Sequence, residues 1–146
     1  MSTLYRHTQF AYLLPGILGG AILLILLLQP ITATTLVAVA AMAAIGLYFS
    51  SLTITVDEAQ LTWQFGRGFL RKSVPLSDIV RVEAMRTAWY YGWGIRYTPH
   101  GWLHNVSGFD AVKIYLRGGK TFLLGTDEPD ALVEVLQRAT RPKRRR

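Results

Sequence analysis

Residues 110–140 read DAVKIYLRGGKTFLLGTDEPDALVEVLQRAT, and the reading of the fold turns on them. Val112, Ile114 and Leu116 alternate with Lys113, Tyr115 and Arg117, the two-residue period of a half-buried strand. Gly118-Gly119 tolerates the positive φ of a tight hairpin, and Thr121–Leu124 pairs back. Then the period changes. Thr126 or Asp127 suits a helix N-cap. Glu128, Pro129 and Asp130 suit a first turn, where acids face the helix dipole and Pro has no amide proton to lose. Leu132, Val135, Leu136 and Ala139 recur at i, i+3, i+4 and i+7, one apolar stripe that must be buried against something, and Pro142 ends the helix.

Upstream, the two-residue period continues. Leu52, Ile54 and Val56 alternate with Thr53 and Thr55. Asp57-Glu58-Ala59-Gln60 is a polar turn, and Leu61, Trp63 and Phe65 alternate with Thr62 and Gln64. Gly66-Arg67-Gly68 turns the chain into a third strand, Phe69–Val74, which Pro75 breaks. Val80, Val82 and Ala84 mark a fourth strand. A fifth is placed near Gly94–Thr98 and a short sixth element near Leu103–Val106. Residues 51–140 therefore predict about seven short antiparallel strands with one terminal helix to cover an open end.

Residues 10–50 are of another kind. Phe10 to Leu28 is nineteen residues without a charge, eight of them Leu, and Ile31 to Ser50 is a second uncharged run. A helix rises about 1.5 Å per residue, so nineteen residues reach roughly 28 Å, close to a hydrocarbon core of about 30 Å. With only Gln29-Pro30 between the runs, the expectation is a transmembrane helical hairpin, about 10–28 and 31–50. Gly16 and Gly20, Ala40 and Ala44, and Gly46 are small residues suited to helix packing within the hairpin, or to a homo-oligomer. Arg6 lies before the first run, Arg67, Arg71 and Lys72 lie after the second, and the turn has no cation. That distribution predicts a bacterial inner-membrane protein, multi-pass, with both termini cytoplasmic. Residues 1–9 are then a cytoplasmic lead and 141–146 a basic tail.

The chain has 146 residues, a net charge of +7 and no cysteine, so disulfides and thiolate metal sites are excluded. Ninety-six residues after the hairpin suffice for one compact domain. The basic balance suits an anionic surface.

The ordered set Trp93-Gly94-Ile95-Arg96, Val106-Ser107-Gly108, Ala111-Val112, Gly118-Gly119-Lys120, Gly125-Thr126-Asp127 and Pro129-x-x-Leu132 resembles the bacterial pleckstrin-homology-like domains over roughly residues 50–140. The resemblance implies a seven-stranded, strongly bent antiparallel β-barrel or sandwich capped by one C-terminal α-helix. The fold class expected is thus α+β: a transmembrane hairpin followed by that domain. Such folds host lipid binding, peptide docking and scaffolding alike. Headgroup-binding members resemble one another in a basic first hairpin loop, whereas here that loop holds Asp57 and Glu58 and no cation.

No catalytic set, cofactor motif or metal set emerges. His100 and His104 are spaced as a helix would need to chelate, but Pro99 and Gly101 argue against helix there. Gly66-Arg67-Gly68 lacks the ending of a phosphate loop. Trp89, Tyr90, Tyr91, Trp93, Tyr97 and Trp102 crowd fourteen residues. They could be core, membrane interface, a nucleic-acid stacking platform or a peptide-binding face. Arg96 is the only cation among them, which speaks against nucleic acid. The expected function is a non-enzymatic adaptor that docks a protein partner through Trp89, Tyr91, Trp93 and Trp102. The alternative is a module reading anionic lipid with Arg67, Arg71, Lys72, Arg141, Lys143, Arg144, Arg145 and Arg146.

Overall fold

The computed structural model describes residues 2–66, 70–91, 94–106 and 108–142. Among them the chain forms β1 (Thr3–Phe10), α1 (Leu13–Leu28), α2 (Ala33–Tyr48), β2 (Ser51–Asp57), β3 (Gln60–Phe65) and β4 (Leu70–Pro75). There follow β5 (Ile79–Arg86), β6 (Gly94–Thr98), β7 (Gly101–Asn105), β8 (Asp110–Leu116), β9 (Thr121–Gly125) and α3 (Pro129–Thr140). One-turn 3-10 helices lie at Leu76–Asp78 and Trp89–Tyr91. The architecture is α+β, with two sheets in the orders β1-β2-β3-β4 and β5-β8-β9-β7-β6.

The membrane expectation is overturned. Each N-terminal helix has 16 residues, about 24 Å at 1.5 Å per residue, and among the described residues no helix is long and apolar enough to cross a membrane. The transmembrane hairpin, the integral membrane partnership and the multi-pass inner-membrane placement with cytoplasmic termini fall with it. The physical reason lies at the ends of the apolar runs. Phe10 belongs to β1, not to a helix, and pairs with Ser51 across the base of the hairpin, where the Ala11 amide donates to the Ser50 carbonyl at 2.8 Å. Residues 3–10, expected as a lead and a helix start, instead run antiparallel to β2 from Thr3↔Asp57 to Phe10↔Ser51. The two helices are therefore an insertion at the tip of a β-hairpin. Within it, Gly46 is buried and a side chain there would meet Leu18 at 3.4 Å, whereas Gly16 and Gly20 face open space.

The sheets bury alternate residues against each other. Leu52, Ile54 and Val56 from β2 and Leu61, Trp63 and Phe65 from β3 meet Val112 and Ile114 from β8 and Phe122 and Leu124 from β9. Helix α3 adds Leu132 and Leu136, both fully buried, the stripe expected from its spacing. It packs on β5, β8 and β1 and closes that end of the sandwich. Its start differs from the expected cap. Glu128 precedes the first helical residue without a side-chain cap, while Thr126 Oγ1 accepts from the Glu128 amide at 3.1 Å and Pro129 opens the helix.

Strand β1 extends the first sheet antiparallel to β2, whereas β7 runs parallel to β9 in the register Trp102↔Phe122 to His104↔Leu124. The start of β7 is crowded against β9. Gly101 takes φ +107, and a Cβ there would lie 2.1 Å from the Thr121 carbonyl oxygen. The β2–β3 turn is held by Asp57, whose Oδ1 accepts from the Ala59 and Gln60 amides at 2.8 Å each, which keeps its carboxyl below the usual range.

Candidate functional site

With α3 closing one end, the sandwich is open at the end where β4 terminates the first sheet and β6 the second. The sequence places unusual chemistry on these edges. Strand β6 pairs only with β7 among the described strands, in the register Gly94↔Asn105 to Thr98↔Gly101. Its two-residue turn, Pro99-His100, is tied by Thr98 Oγ1 donating to the Gly101 carbonyl at 2.7 Å. Tyr97 and Trp102, directly opposite in register, lie on the same face of the sheet as Ile95 and His104, and their exposed rings meet edge to face at 5.4 Å. The preceding one-turn helix stacks Trp89, Tyr90 and Tyr91 edge to face, at 5.9 Å and 5.0 Å between successive rings.

These aromatics are not core. Trp89 is 78% exposed, Tyr90, Tyr97 and Trp102 are also more than half exposed, and Tyr91 is half-buried. Trp93 lies outside the described residues. Of the cations singled out in the sequence, Arg71 and Lys72 are exposed on edge strand β4, and Arg141 is exposed just past α3. The three thus sit on two different elements. Arg67, Lys143, Arg144, Arg145 and Arg146 lie outside the described residues.

Behind the aromatic edge, the open end of the sandwich forms a cleft of about 350 Å³. Its floor is Trp63 and Phe122, stacked at 4.8 Å and 24°, with the His104 imidazole 5.4 Å from the indole. Ile95 and Leu116 form apolar wall, and Lys72 and Lys120 stand at the rim. Among the described residues, two polar atoms of these lining side chains are buried without a hydrogen-bond partner, Trp63 Nε1 and His104 Nδ1. Burial, with the Lys72 ammonium adding to it, pushes the imidazole pKa down to about 4, so the ring is neutral near pH 7.

Sequence reasoning missed this cleft. Trp63 read as one more inward position of a strand, and His104 only as half of a weak His100/His104 pair. The structure separates that pair by role: His104 is buried in the cleft, and His100, on the β6–β7 turn, has its Nδ1 3.5 Å from Lys113 Nζ. A polar cluster on β5 and β8 also went unread. Tyr115 donates to Glu83 Oε1 at 2.6 Å, Arg81 to Glu83 Oε2 at 3.0 Å, and the Arg81 and Lys113 cations lie 5.4 Å and 4.9 Å from the Tyr115 ring centre. The tyrosine hydroxyl is the main reason the Glu83 carboxyl sits below its usual range. No signal in the sequence marks such groupings, because each joins residues from strands far apart in the chain. No family model matches the chain, and no curated protein matches it.

Proposed function

We propose that this chain is a non-catalytic adaptor built on a pleckstrin-homology-like sandwich, and that it docks a protein partner along edge strand β6. The observation that carries the reading is the run of exposed aromatic side chains on and beside a sheet edge that is unpaired among the described residues: Trp89, Tyr90, Tyr97 and Trp102. Exposed aromatic clusters of this kind are where binding energy concentrates, and a free edge offers main-chain hydrogen bonds to an extended segment. Arg96 on β6 and Arg71 and Lys72 on β4 make the surroundings cationic. The fitting partner segment is therefore extended, with acidic and apolar residues in alternation.

The test is quantitative co-purification of the full chain from its own cells beside a Trp89→Ser/Tyr97→Ser variant. Both residues are exposed, so the variant should fold with an unchanged melting temperature. The expected result is a partner, present in stoichiometric amount with the parent chain, that is lost with the variant. A partner retained equally by both would overturn the reading.

A further inference from the structure

We propose that the cleft between β3, β7 and β9 is a binding site for a small monocarboxylate with an apolar body, the carboxylate seated among Trp63 Nε1, His104 Nδ1 and the Lys72 ammonium. The inference does not rest on the docking surface, and either can fail alone. Its first support is the pair of orphaned polar atoms. Trp63 is 4% and His104 3% exposed, and neither Trp63 Nε1 nor His104 Nδ1 has a partner among the described residues. Buried polar groups are nearly always paired, so two neighbours left unpaired on one cavity floor point to a missing hydrogen-bonding group. The indole N–H can only donate, so that group must bring an acceptor. A neutral imidazole carrying its proton on Nδ1 donates a second bond without adding charge.

Charge decides which acceptor. Lys72 acts electrostatically on His104, and Lys120 stands at the same rim, while among the described residues none that lines the cleft is acidic. An anionic acceptor is favoured over a neutral carbonyl or hydroxyl. Shape decides the rest. The cleft is mostly apolar, with Ile95, Leu116, Phe122 and the Trp102 ring leading outward from the floor. A volume of about 350 Å³ falls at the small end of ligand pockets, enough for a medium-length alkyl or an aromatic body and too small for a nucleotide.

The experiment is a titration of the full chain with octanoate below its micellar concentration, followed by the indole and imidazole nitrogen-bound signals in NMR. The Trp63 indole signal is assigned by its loss in Trp63→Phe, which keeps the stack on Phe122. Octanol and octylammonium serve as the uncharged and cationic arms. The expected result is saturable movement of the Trp63 indole and His104 ring signals with octanoate, at least tenfold weaker with octanol, and weakened about tenfold by Lys72→Gln. Lys72 is exposed, so that variant keeps the fold. Equal responses to all three compounds, or an octanoate response that leaves the Trp63 and His104 signals still, would overturn the proposal.

Discussion

Gly101 is the residue on which the second sheet depends most sharply. Its φ of +107 lies where L side chains are strained, and a Cβ would sit 2.1 Å from the Thr121 carbonyl oxygen, a backbone atom that cannot move without parting β7 from β9. Gly101→Ala should cost about 3 kcal/mol or more, read as a fall in the thermal or urea midpoint. Gly119→Ala, also at positive φ but in open space, should cost clearly less. His104 makes a second prediction. Its folded pKa, about 4, lies below the ordinary value of 6.5, so the unfolded chain takes up a proton first. Its contribution is therefore full above pH 6.5 and declines as pH falls from 6.5 towards 4, by at most roughly 3 kcal/mol. In His104→Phe, where a ring still packs against Trp63 and Phe65, that part of the slope should vanish. The same difference in urea-unfolding free energy between pH 7 and pH 4.5 for the parent chain and His104→Phe would refute the assignment.

At the scale of elements, α3 and β1 form a clasp at the closed end. Leu132 and Leu136 reach the core, while Tyr5 donates to Glu128 Oε2 at 2.8 Å and His7 Nε2 lies 2.5 Å from Asp127 Oδ1, tying the first strand to the helix start. Burial, and then the bond to Glu128, push the Tyr5 pKa well above its usual value, so the hydroxyl stays a donor across the working pH range. Leu136→Ala should cost about 2–5 kcal/mol by leaving a cavity, and Tyr5→Phe about 1 kcal/mol by removing one partly exposed bond. Equal effects in equilibrium unfolding would contradict the clasp as drawn. The helix, the β2–β3 hairpin and the β8–β9 hairpin were legible in the sequence because their signals are local: an apolar stripe, a polar turn, a glycine pair. Strand β1 was not, because its pairing partner is forty residues away and its own pattern, Thr3–Phe10, alternates weakly. The parallel β7–β9 pairing was hidden because its partners lie twenty residues apart, with β8 between them in the chain. The aromatic segment was noticed from composition, but only the pairing of β6 with β7 brings the Tyr97 and Trp102 rings together.

For the whole molecule, the question is how the helical hairpin relates to the sandwich. Its helices contact each other, and Ile17, Leu23, Leu24, Leu27, Leu36 and Val37 are exposed along them, a large apolar surface for one chain. Its connection to the sheets is narrow. The chain leaves at Ala11 and returns at Ser50, and those two residues are already bonded as a hairpin pair, one step beyond Phe10↔Ser51. A two-residue turn fits between them geometrically. Replacing residues 12–49 by Asn-Gly should therefore preserve β1–β2 pairing, since that dipeptide favours the type I′ turn whose twist matches paired strands. Some stabilisation would go with the insertion, because Phe49 packs edge to face on Phe65 at 5.2 Å and Tyr48 lies against the same cluster. A loss of about 1–3 kcal/mol is the expected scale. The shortened chain should keep a dispersed amide spectrum and cooperative unfolding, and should tolerate higher concentration without association than the full chain. The second effect follows from removing exposed apolar area, and it is separable from the first. If the shortened chain loses its dispersed spectrum, the hairpin is part of the folding unit and the narrow connection misrepresents it. If it folds and still associates, the apolar surface that drives association lies on the sandwich, and the exposed rings of Trp89, Tyr97 and Trp102 become the place to look.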